Sequence, residues 1–401
     1  MRKLSKLIAN ALLTLLAVVL IFAILEGLLR LVLGNPSQQN TPYEFNPDYL
    51  VSLKPNYTDT FARSSENGGN RITWSTNSLG YRGAELLPDP DQRILVYGDS
   101  NVLARFSEEK DTFTAQLQAQ LSSQNPDTSI EVINAGLVGA GTDQCVLRME
   151  HELPRLKPDL VILHIFASND MGDVIRNRLF ELDEEGKLVK TDFPLLPDPD
   201  FKSETGIKAR LKNTRLFALA GRLNRSLTRK GQLDPAAYIQ SIDRTNDEEF
   251  RVYKERRPLQ FSHFADHYDI DIAIRPQAVS SITKVKLLSG LLQKASQICT
   301  DNNCRLMVLI QPPVFDLCSN HLFGPKDLSS YQDYRPERLC SVIGQACRDQ
   351  NIPALDLFPV FSSSQPEQLY FRLNDDHWND AGQALAARIT GDFISQNQLL
   401  F

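Results

Sequence analysis

The chain has 401 residues, and 43 lysine and arginine residues against 49 aspartate and glutamate residues give it a formal net charge of −6. Hydrophobic residues make up 42% and charged residues 23%, so the composition excludes a disordered tail, a collagen-like fibre and a multi-span transporter. The mild negative balance argues against nucleic-acid binding, which usually needs a basic surface. The length allows two or three compact units, or one large domain with insertions.

The densest apolar block lies at the N-terminus. The 19 residues from Leu7 to Leu25 contain only Asn10 and Thr14 as polar side chains and carry no charge. About 20 helical residues cross the hydrocarbon core of a bilayer, so we predict a retained anchor that contacts lipid over residues 7–33. Two alternatives stay open: a cleaved signal peptide, which would have a shorter apolar core and a small-residue cleavage site, and a buried core helix.

Basic residues precede this block, at Arg2, Lys3 and Lys6. Because such residues are retained on the cytoplasmic side of a membrane, residues 1–34 are expected to form the cytoplasmic N-terminus and the anchor. The sequence then predicts a single-pass protein of the cytoplasmic membrane, whose C-terminal domain faces the periplasm or the cell exterior.

The cysteines do not have the C-x-x-C spacing of a zinc or redox motif. In an oxidising compartment some of the last five would pair, and buried free thiols are the alternative. The six are Cys145, Cys299, Cys304, Cys318, Cys340 and Cys347.

The rest of the chain divides into four predicted parts. Residues 35–92 are polar and turn-rich, and read as a stalk and lead-in. Short apolar strands alternate with helices over residues 93–178 and again over 279–401, which predicts a parallel sheet covered by helices on both faces. The charge-dense segment 179–278 breaks this alternation and reads as a mainly helical insertion, either covering one sheet edge or forming a lid over ligand-binding loops.

Apolar runs and helical spacing place the predicted elements along the chain. A helix over Asp111–Leu121 is expected to be capped by Asp111. The predicted strands are Arg93–Tyr97, Ile130–Ile133, Leu160–Phe166, Arg305–Ile310 and Ile352–Leu357, and further helices are predicted at Gln144–Leu156, Val285–Ile298, Ser341–Gln350 and Ala381–Ser395.

Small or polar residues follow each of the first three strands. Ser100 follows the first strand in Gly98-Asp99-Ser100, Gly139 lies in the glycine-rich segment after the second, and Asn169 follows the third. Carboxyl ends of parallel strands meet at one sheet edge. A hydroxyl, a backbone N–H and a side-chain amide are therefore expected there, where they would stabilise an anion or a developing oxyanion.

A nucleophilic serine needs a base, and the base needs an orienting carboxylate. His377 stands near the C-terminus, directly after Asp375 and Asp376. Taken singly these motifs have ordinary structural explanations, since Gly-Asp-Ser is a common helix cap and Asn-Asp a common turn. Their conjunction, four blocks in order beside predicted strands or helices, favours acyl-transfer chemistry.

This order of motifs resembles the SGNH superfamily of GDSL-type esterases over about 220 of the 401 residues. The resemblance implies an α/β fold, a flavodoxin-like three-layer sandwich with a parallel sheet, and a site that needs no cofactor and no metal. It implies Ser100 as nucleophile, with Ser100, Gly139 and Asn169 as oxyanion donors. It further implies His377 as base, oriented by Asp375.

Two features depart from the usual pattern of that family. Its common spacing is Asp-x-x-His, but Asn374 stands three residues before His377. The shorter Asp-x-His spacing occurs in a branch resembling alginate O-acetyltransferases, which favours Asp375 and leaves Asp376 open. The NVLARF segment after Ser100 also lacks the glycine of many members. The anchor and the TNSLGYRG segment are similar to membrane-anchored proteins found with bacterial exopolysaccharide synthesis.

The function expected from these features is that of a serine esterase acting on O-acylated carbohydrate, or another small ester, outside the cytoplasm. One alternative is an O-acyltransferase that uses the same triad on a polysaccharide. Another is a non-catalytic carbohydrate-binding assembly factor that retains only the fold.

Two other histidine arrangements are weaker candidates. His263 and His267 have the i, i+4 spacing of a helical metal site but lack the glutamate of a metalloprotease motif. His164 lies inside an apolar strand and reads as a core histidine.

Overall fold

A computed structural model gives the architecture of most of the chain. The residues it describes are 2–33, 41–192, 214–217, 219–220, 235–256, 268–318, 328, 331–372 and 375–400. They fall into two compact units, one of residues 1–41 with 200–233 and one of residues 42–199 with 234–401.

The first unit contains the apolar N-terminal helix, α1 (Arg2–Leu33). Within this helix, the 21-residue segment Leu12–Val32 has a mean hydropathy of 2.8 and is almost entirely exposed. A helix of this length and composition is able to cross a membrane. Glu26 is the buried exception: it pairs with Arg30 at 2.7 Å and accepts a hydrogen bond from the backbone N–H of Arg215 at 2.9 Å.

The second unit is built on a five-stranded parallel sheet. Its strands are β5 (Gln92–Gly98), β6 (Ile130–Gly136), β7 (Leu160–Phe166), β10 (Arg305–Gln311) and β11 (Ala354–Asp356). They lie in the order β11-β10-β7-β5-β6. All residues of β6 and β7 are buried, because helices cover both faces of the sheet. The predicted α/β fold with a doubly covered parallel sheet is therefore confirmed.

The helices described in this unit are α2 (Ser100–Leu103), α3 (Phe113–Gln124), α4 (Thr142–Leu156), α5 (Asp170–Asn177), α6 (Pro235–Lys254), α7 (Ile270–Ile274), α8 (Val279–Asp301), α9 (Val314–Leu317), α10 (Arg338–Arg348), α11 (Phe358–Ser363) and α12 (Asp380–Gln396). Helices α3, α11 and α12 pack on one face of the sheet, around a core that includes Ile94, Val96 and Phe361. Helices α4, α5, α8 and α10 pack together on the other face.

The start of α3 corrects one expectation. Thr112, not Asp111, is the N-cap, and its Oγ1 accepts a hydrogen bond from the backbone N–H of Ala115 at 3.2 Å. Asp111 belongs instead to a preceding 3-10 turn, Glu109–Asp111. Both residue types cap helices well, so the choice depended on that turn rather than on local preference.

The segment before β5 forms two antiparallel hairpins, in which β1 (Tyr43–Asn46) pairs with β2 (Leu50–Leu53) and β3 (Thr58–Ala62) with β4 (Arg71–Ser75). After them comes Arg82, whose buried guanidinium donates to the backbone carbonyls of Leu103, Ala104 and Ser107. These bonds tie the lead-in to the chain that follows Ser100.

The described part of segment 179–278 contains an antiparallel pair, β8 (Phe180–Leu182) with β9 (Leu188–Lys190), besides helices α6 and α7. His263 and His267 lie outside the described residues. The domain boundaries expected from the sequence stay predictions. All six cysteines are free thiols, five of them buried, in agreement with the free-thiol alternative.

Gly136 is expected to be essential for folding. A Cβ at this position would lie 2.1 Å from the backbone nitrogen of Leu103 in α2, too close for any side-chain adjustment to relieve. We expect Gly136→Ala to lower the free energy of unfolding by about 1–3 kcal/mol or more. Denaturant unfolding of the full chain in detergent, followed by circular dichroism, measures the change.

Gly344→Ala is the matched control in the middle of α10, because its Cβ would meet only side chains at ordinary distances, Arg348 at 3.4 Å and Ile310 at 3.8 Å. Alanine favours a helix over glycine by up to about 1 kcal/mol, so this variant should be unchanged or more stable. Equal stability of the two variants would contradict the close approach of α2 to β6.

Candidate active site

Ser100 lies at the carboxyl edge of the sheet because β5 ends at Gly98 and a short helix starts at once. Asp99 caps that helix, α2, by accepting a hydrogen bond from the backbone N–H of Asn101 at 2.9 Å. A Cβ at Gly98 would lie 2.9 Å from the side chain of His164, so the glycine allows the strand end to pack closely against that histidine. Ser100 itself is half-buried.

Ser100, His377 and Asp375 converge in the structure. His377 Nε2 lies 2.7 Å from Ser100 Oγ, and His377 Nδ1 lies 2.6 Å from Asp375 Oδ1. Asp375 Oδ1 also accepts a hydrogen bond from the backbone N–H of His377 at 3.0 Å. A hydroxyl, an imidazole and a carboxylate in this order form the relay that activates a serine.

Asp376 is also close to the imidazole, with its Oδ1 3.5 Å from His377 Nδ1. That distance exceeds a hydrogen bond, so Asp375 orients the ring and Asp376 adds charge. The ligand atoms of Asp375, Asp376 and His377 lie within 4.8 Å of one another, close enough to hold a metal ion. In the present geometry, however, the imidazole bridges Asp375 and Ser100 with its two nitrogens.

The surroundings of His377 favour its protonated form. Burial lowers the pKa of His377, but the hydrogen bond to Asp375 and the charges of Asp375, Asp376 and Asp99 raise it, with a net result of about 10. The site therefore stabilises the imidazolium, which is the state that a base reaches after it accepts a proton from serine.

The predicted oxyanion donors follow three neighbouring strands. Gly139 lies in the turn after β6 with φ of +62°, a conformation that glycine adopts without strain. Asn169 follows β7 and stands at the N-cap of α5. The structure thus puts both residues at the same sheet edge as Ser100, which follows β5.

A wall of aromatic and basic side chains beside His377 has no counterpart among the residues singled out from the sequence. The Phe106 ring lies edge-on to the imidazole at 5.7 Å and to the Phe371 ring at 5.9 Å. Arg63 directly follows strand β3. Its guanidinium donates to the Phe106 carbonyl at 2.6 Å and to the Asp380 carboxylate at 2.6 and 2.9 Å. No spacing rule links these positions, although the missing glycine in NVLARF marks this stretch as unusual.

His164 is a buried core histidine, as its position in an apolar strand predicts. It is buried, with Nε2 2.9 Å from Gln311 Oε1, and its ring packs edge-on to Trp378 at 5.5 Å. Burial lowers the pKa of His164, despite the nearby charge of Asp99 and the bond to Gln311, which raise it. The neutral form of the His164 imidazole is therefore favoured. This ring lies beside Gly98, where the turn that carries Ser100 begins.

Fold and site together are those of an α/β domain in which a serine, a histidine and an aspartate lie in contact at the carboxyl edge of a parallel sheet. Residues 283–400 match the model of a family described as an SGNH hydrolase-like domain, acetyltransferase AlgX. The matched segment contains Asp375 and His377 but not Ser100. Over those residues it confirms the resemblance to the SGNH superfamily that the sequence motifs indicate.

Several solved structures are similar to this chain at low sequence identity. A two-domain esterase active on acetylated mannans is 14% identical, with a TM-score of 0.38 over 76% of this chain and 49% of its own, so the likeness spans about half of that protein. A lipase/acylhydrolase from Enterococcus faecalis is 10% identical (TM-score 0.38, 77% and 97% covered). An acetyl xylan esterase is 13% identical (TM-score 0.37, 76% and 98% covered). No curated protein sequence matches this chain.

The two carboxylates should affect the titration of His377 to different degrees. Asp376→Asn removes a negative charge 3.5 Å from Nδ1, so the imidazolium is less stabilised and the pKa of His377 falls. Asp375→Asn also removes the charged hydrogen-bond acceptor and should lower the pKa further. Imidazole chemical shifts measured by NMR against pH in both variants check this order. A larger shift in Asp376→Asn would identify Asp376 as the principal partner.

Proposed function

We propose that this protein is a serine esterase of SGNH type, which hydrolyses acyl esters on carbohydrate outside the cytoplasm. The observation that carries the proposal is the chain of short contacts from Ser100 Oγ through His377 to Asp375, at 2.7 and 2.6 Å. Three residues so arranged at the carboxyl edge of a parallel sheet fit acyl transfer better than binding alone.

The first half-reaction acylates the serine. Ser100 Oγ attacks the ester carbonyl while His377 Nε2 takes its proton, and the carbonyl oxygen becomes an oxyanion. The backbone N–H groups of Ser100 and Gly139 and the Asn169 side-chain amide are the proposed donors to that oxyanion. The tetrahedral intermediate collapses, and the imidazolium of His377 protonates the departing alcohol.

The second half-reaction releases the acyl group. His377 takes a proton from water, the resulting hydroxide attacks the acyl-serine, and the imidazolium returns the proton to Ser100 Oγ. Asp375 accepts the Nδ1 hydrogen bond throughout and so presents Nε2 to the serine. Asp376 stabilises the imidazolium by charge.

An O-acyltransferase is the second candidate, and the match of residues 283–400 to an acetyltransferase family supports it. Only the acceptor of the second half-reaction differs: a sugar hydroxyl replaces water, and His377 takes the proton of that hydroxyl. The same match supports an acylated polysaccharide as the substrate class for either activity.

The N-terminal helix supports a location at the membrane. Residues Leu12–Val32 form an exposed apolar helix, and Arg2, Lys3 and Lys6 precede it. By the positive-inside rule, we propose that α1 anchors the chain in the cytoplasmic membrane and that the domain with Ser100 lies on the outer side.

Ser100→Ala should reduce the turnover of a short-chain nitrophenyl ester by a factor of about 10⁴ or more, because the nucleophile is lost. The exposed Ser341 on α10 provides the matched control, and Ser341→Ala should retain full activity. Turnover that survives in Ser100→Ala would contradict Ser100 as the nucleophile, whereas turnover that is absent from the folded wild type would favour the non-catalytic binding factor.

Hydrolysis and transfer are separated by adding an acceptor. With the nitrophenyl ester and a sugar oligomer together, an esterase releases free acid at an unchanged rate. A transferase instead produces an acylated oligomer, detected by mass spectrometry, in preference to the free acid. Exclusive acylation of the oligomer would replace the esterase proposal with the second candidate.

The anchor predicts a specific topology. In spheroplasts of an expressing bacterium, added protease should digest the domain after residue 41 while a tag fused before Arg2 stays protected. Deletion of residues 2–33 with an exported signal in their place should release the domain to the soluble periplasmic fraction. A protected C-terminal domain would reverse the proposed orientation.

A further inference from the structure

Helix α5 starts beside the residue assigned to the oxyanion hole, and its first turn has an unusual cap. Asn169 occupies the N-cap position, where an asparagine side chain normally accepts a hydrogen bond from a backbone N–H of its own helix. The Asn169 side chain makes no such bond. Its Oδ1 is buried and accepts no hydrogen bond from the residues that the structure describes.

Asp269 supplies the missing cap from a distant part of the chain. Its Oδ2 accepts a hydrogen bond from the backbone N–H of Met171, 98 positions away, at 3.1 Å. Its own backbone N–H donates to the carbonyl of Ser168 at 2.7 Å. Asp269 thus holds the chain on both sides of Asn169.

A buried carboxylate in this place requires a counter-charge. Lys284 Nζ lies 3.0 Å from Asp269 Oδ1 and 2.8 Å from Asp271 Oδ1, and all three side chains are buried. Lys284 lies on α8, which packs against α5. The ion triad therefore fixes Asp269 to the sheet-covering helices.

We propose that Asp269 is a positioning residue, which caps helix α5 in place of Asn169 and so leaves the Asn169 amide free for the substrate oxyanion. The inference rests on the proposed function, since it needs Asn169 as an oxyanion donor. Without Asp269, Asn169 Oδ1 is an available acceptor for the first N–H groups of α5, because Asn169 occupies the N-cap position. Rotation of the side chain to make that bond would also move Nδ2, the group proposed to donate to the oxyanion.

Asp271 offers a matched control because it shares the same lysine. Its Oδ1 also accepts a hydrogen bond from Asn246 Nδ2, at 3.4 Å, rather than from the chain around Asn169. Asp271→Ala therefore disrupts the buried ion triad without removing the cap, whereas Asp269→Ala does both. A difference between them isolates the contribution of the cap.

We expect Asp269→Ala to lower kcat for a nitrophenyl ester by roughly 10- to 100-fold with little change in KM, as misplacement of a reacting group does. Asp271→Ala should retain kcat within about threefold. Asp269→Asn retains an acceptor for the Met171 N–H and should recover most of kcat. In an Asn169→Ala background, Asp269→Ala should cost little more, because Asp269 acts through Asn169.

Hydrogen exchange of the peptide covering residues 167–175 tests the cap without any activity. Exchange at Met171 should rise in Asp269→Ala and stay unchanged in Asp271→Ala. It should also stay unchanged in Asn169→Ala, which decides the question even if Asp269→Ala fails to fold.

Equal losses of kcat in the two aspartate variants, additive losses in the double variant, or faster Met171 exchange in Asn169→Ala would each overturn the inference. Absence of ester turnover in the wild type would instead overturn the proposed function. The exchange result would still establish whether Asp269 or Asn169 caps α5.

Discussion

The parallel alignment of β6, β5 and β7 is the constraint on which the candidate site depends. Gly98 of β5 pairs with Gly136 of β6, and Tyr97 pairs with Leu163 of β7. Because the strands run in one direction, the chain leaves all three at the same edge. Polar groups that are distant in sequence therefore surround one volume, while the apolar strand residues remain buried between two helical layers.

Two glycines allow close packing at this edge of the sheet. At Gly98 and at Gly136, atoms of neighbouring residues lie too close to the backbone for a Cβ to fit. Helix α2, which begins at Ser100, therefore packs directly on β6, and Arg82 ties the far end of that segment to the lead-in. Close packing of this kind holds Ser100, His377 and Asp375 at distances of under 3 Å better than a mobile loop would.

Charge is arranged in two contrasting ways around the site. At His377, two carboxylates face one partly exposed imidazole and favour its protonated state. Around Asp269, by contrast, one lysine serves two fully buried carboxylates. Charges of the first kind act on the protonation of the imidazole, and those of the second kind hold the backbone in place. Burial explains the difference, because an unpaired charge in the second position would be far more costly.

Local pattern was sufficient for much of this architecture. Continuous apolar runs identified the strands because a doubly covered sheet admits little else, and the small and polar residues that follow them predicted Ser100, Gly139 and Asn169 at one edge of the sheet. Position in the chain could not distinguish Thr112 from Asp111 as a cap, since both suit that role.

Position in the chain also could not distinguish Asp375 from Asp376, because the two residues are adjacent. Their distances to His377 Nδ1 in the folded chain, 2.6 and 3.5 Å, distinguish them. No local sequence pattern predicted the aromatic contacts of Phe106 or the cap from Asp269. Those contacts join segments from different parts of the chain, so they produce no periodic pattern in the sequence. What the sequence determined was the set of elements and the chemistry at their ends; the tertiary structure decided which of those groups meet, because contact between distant residues exists only after packing.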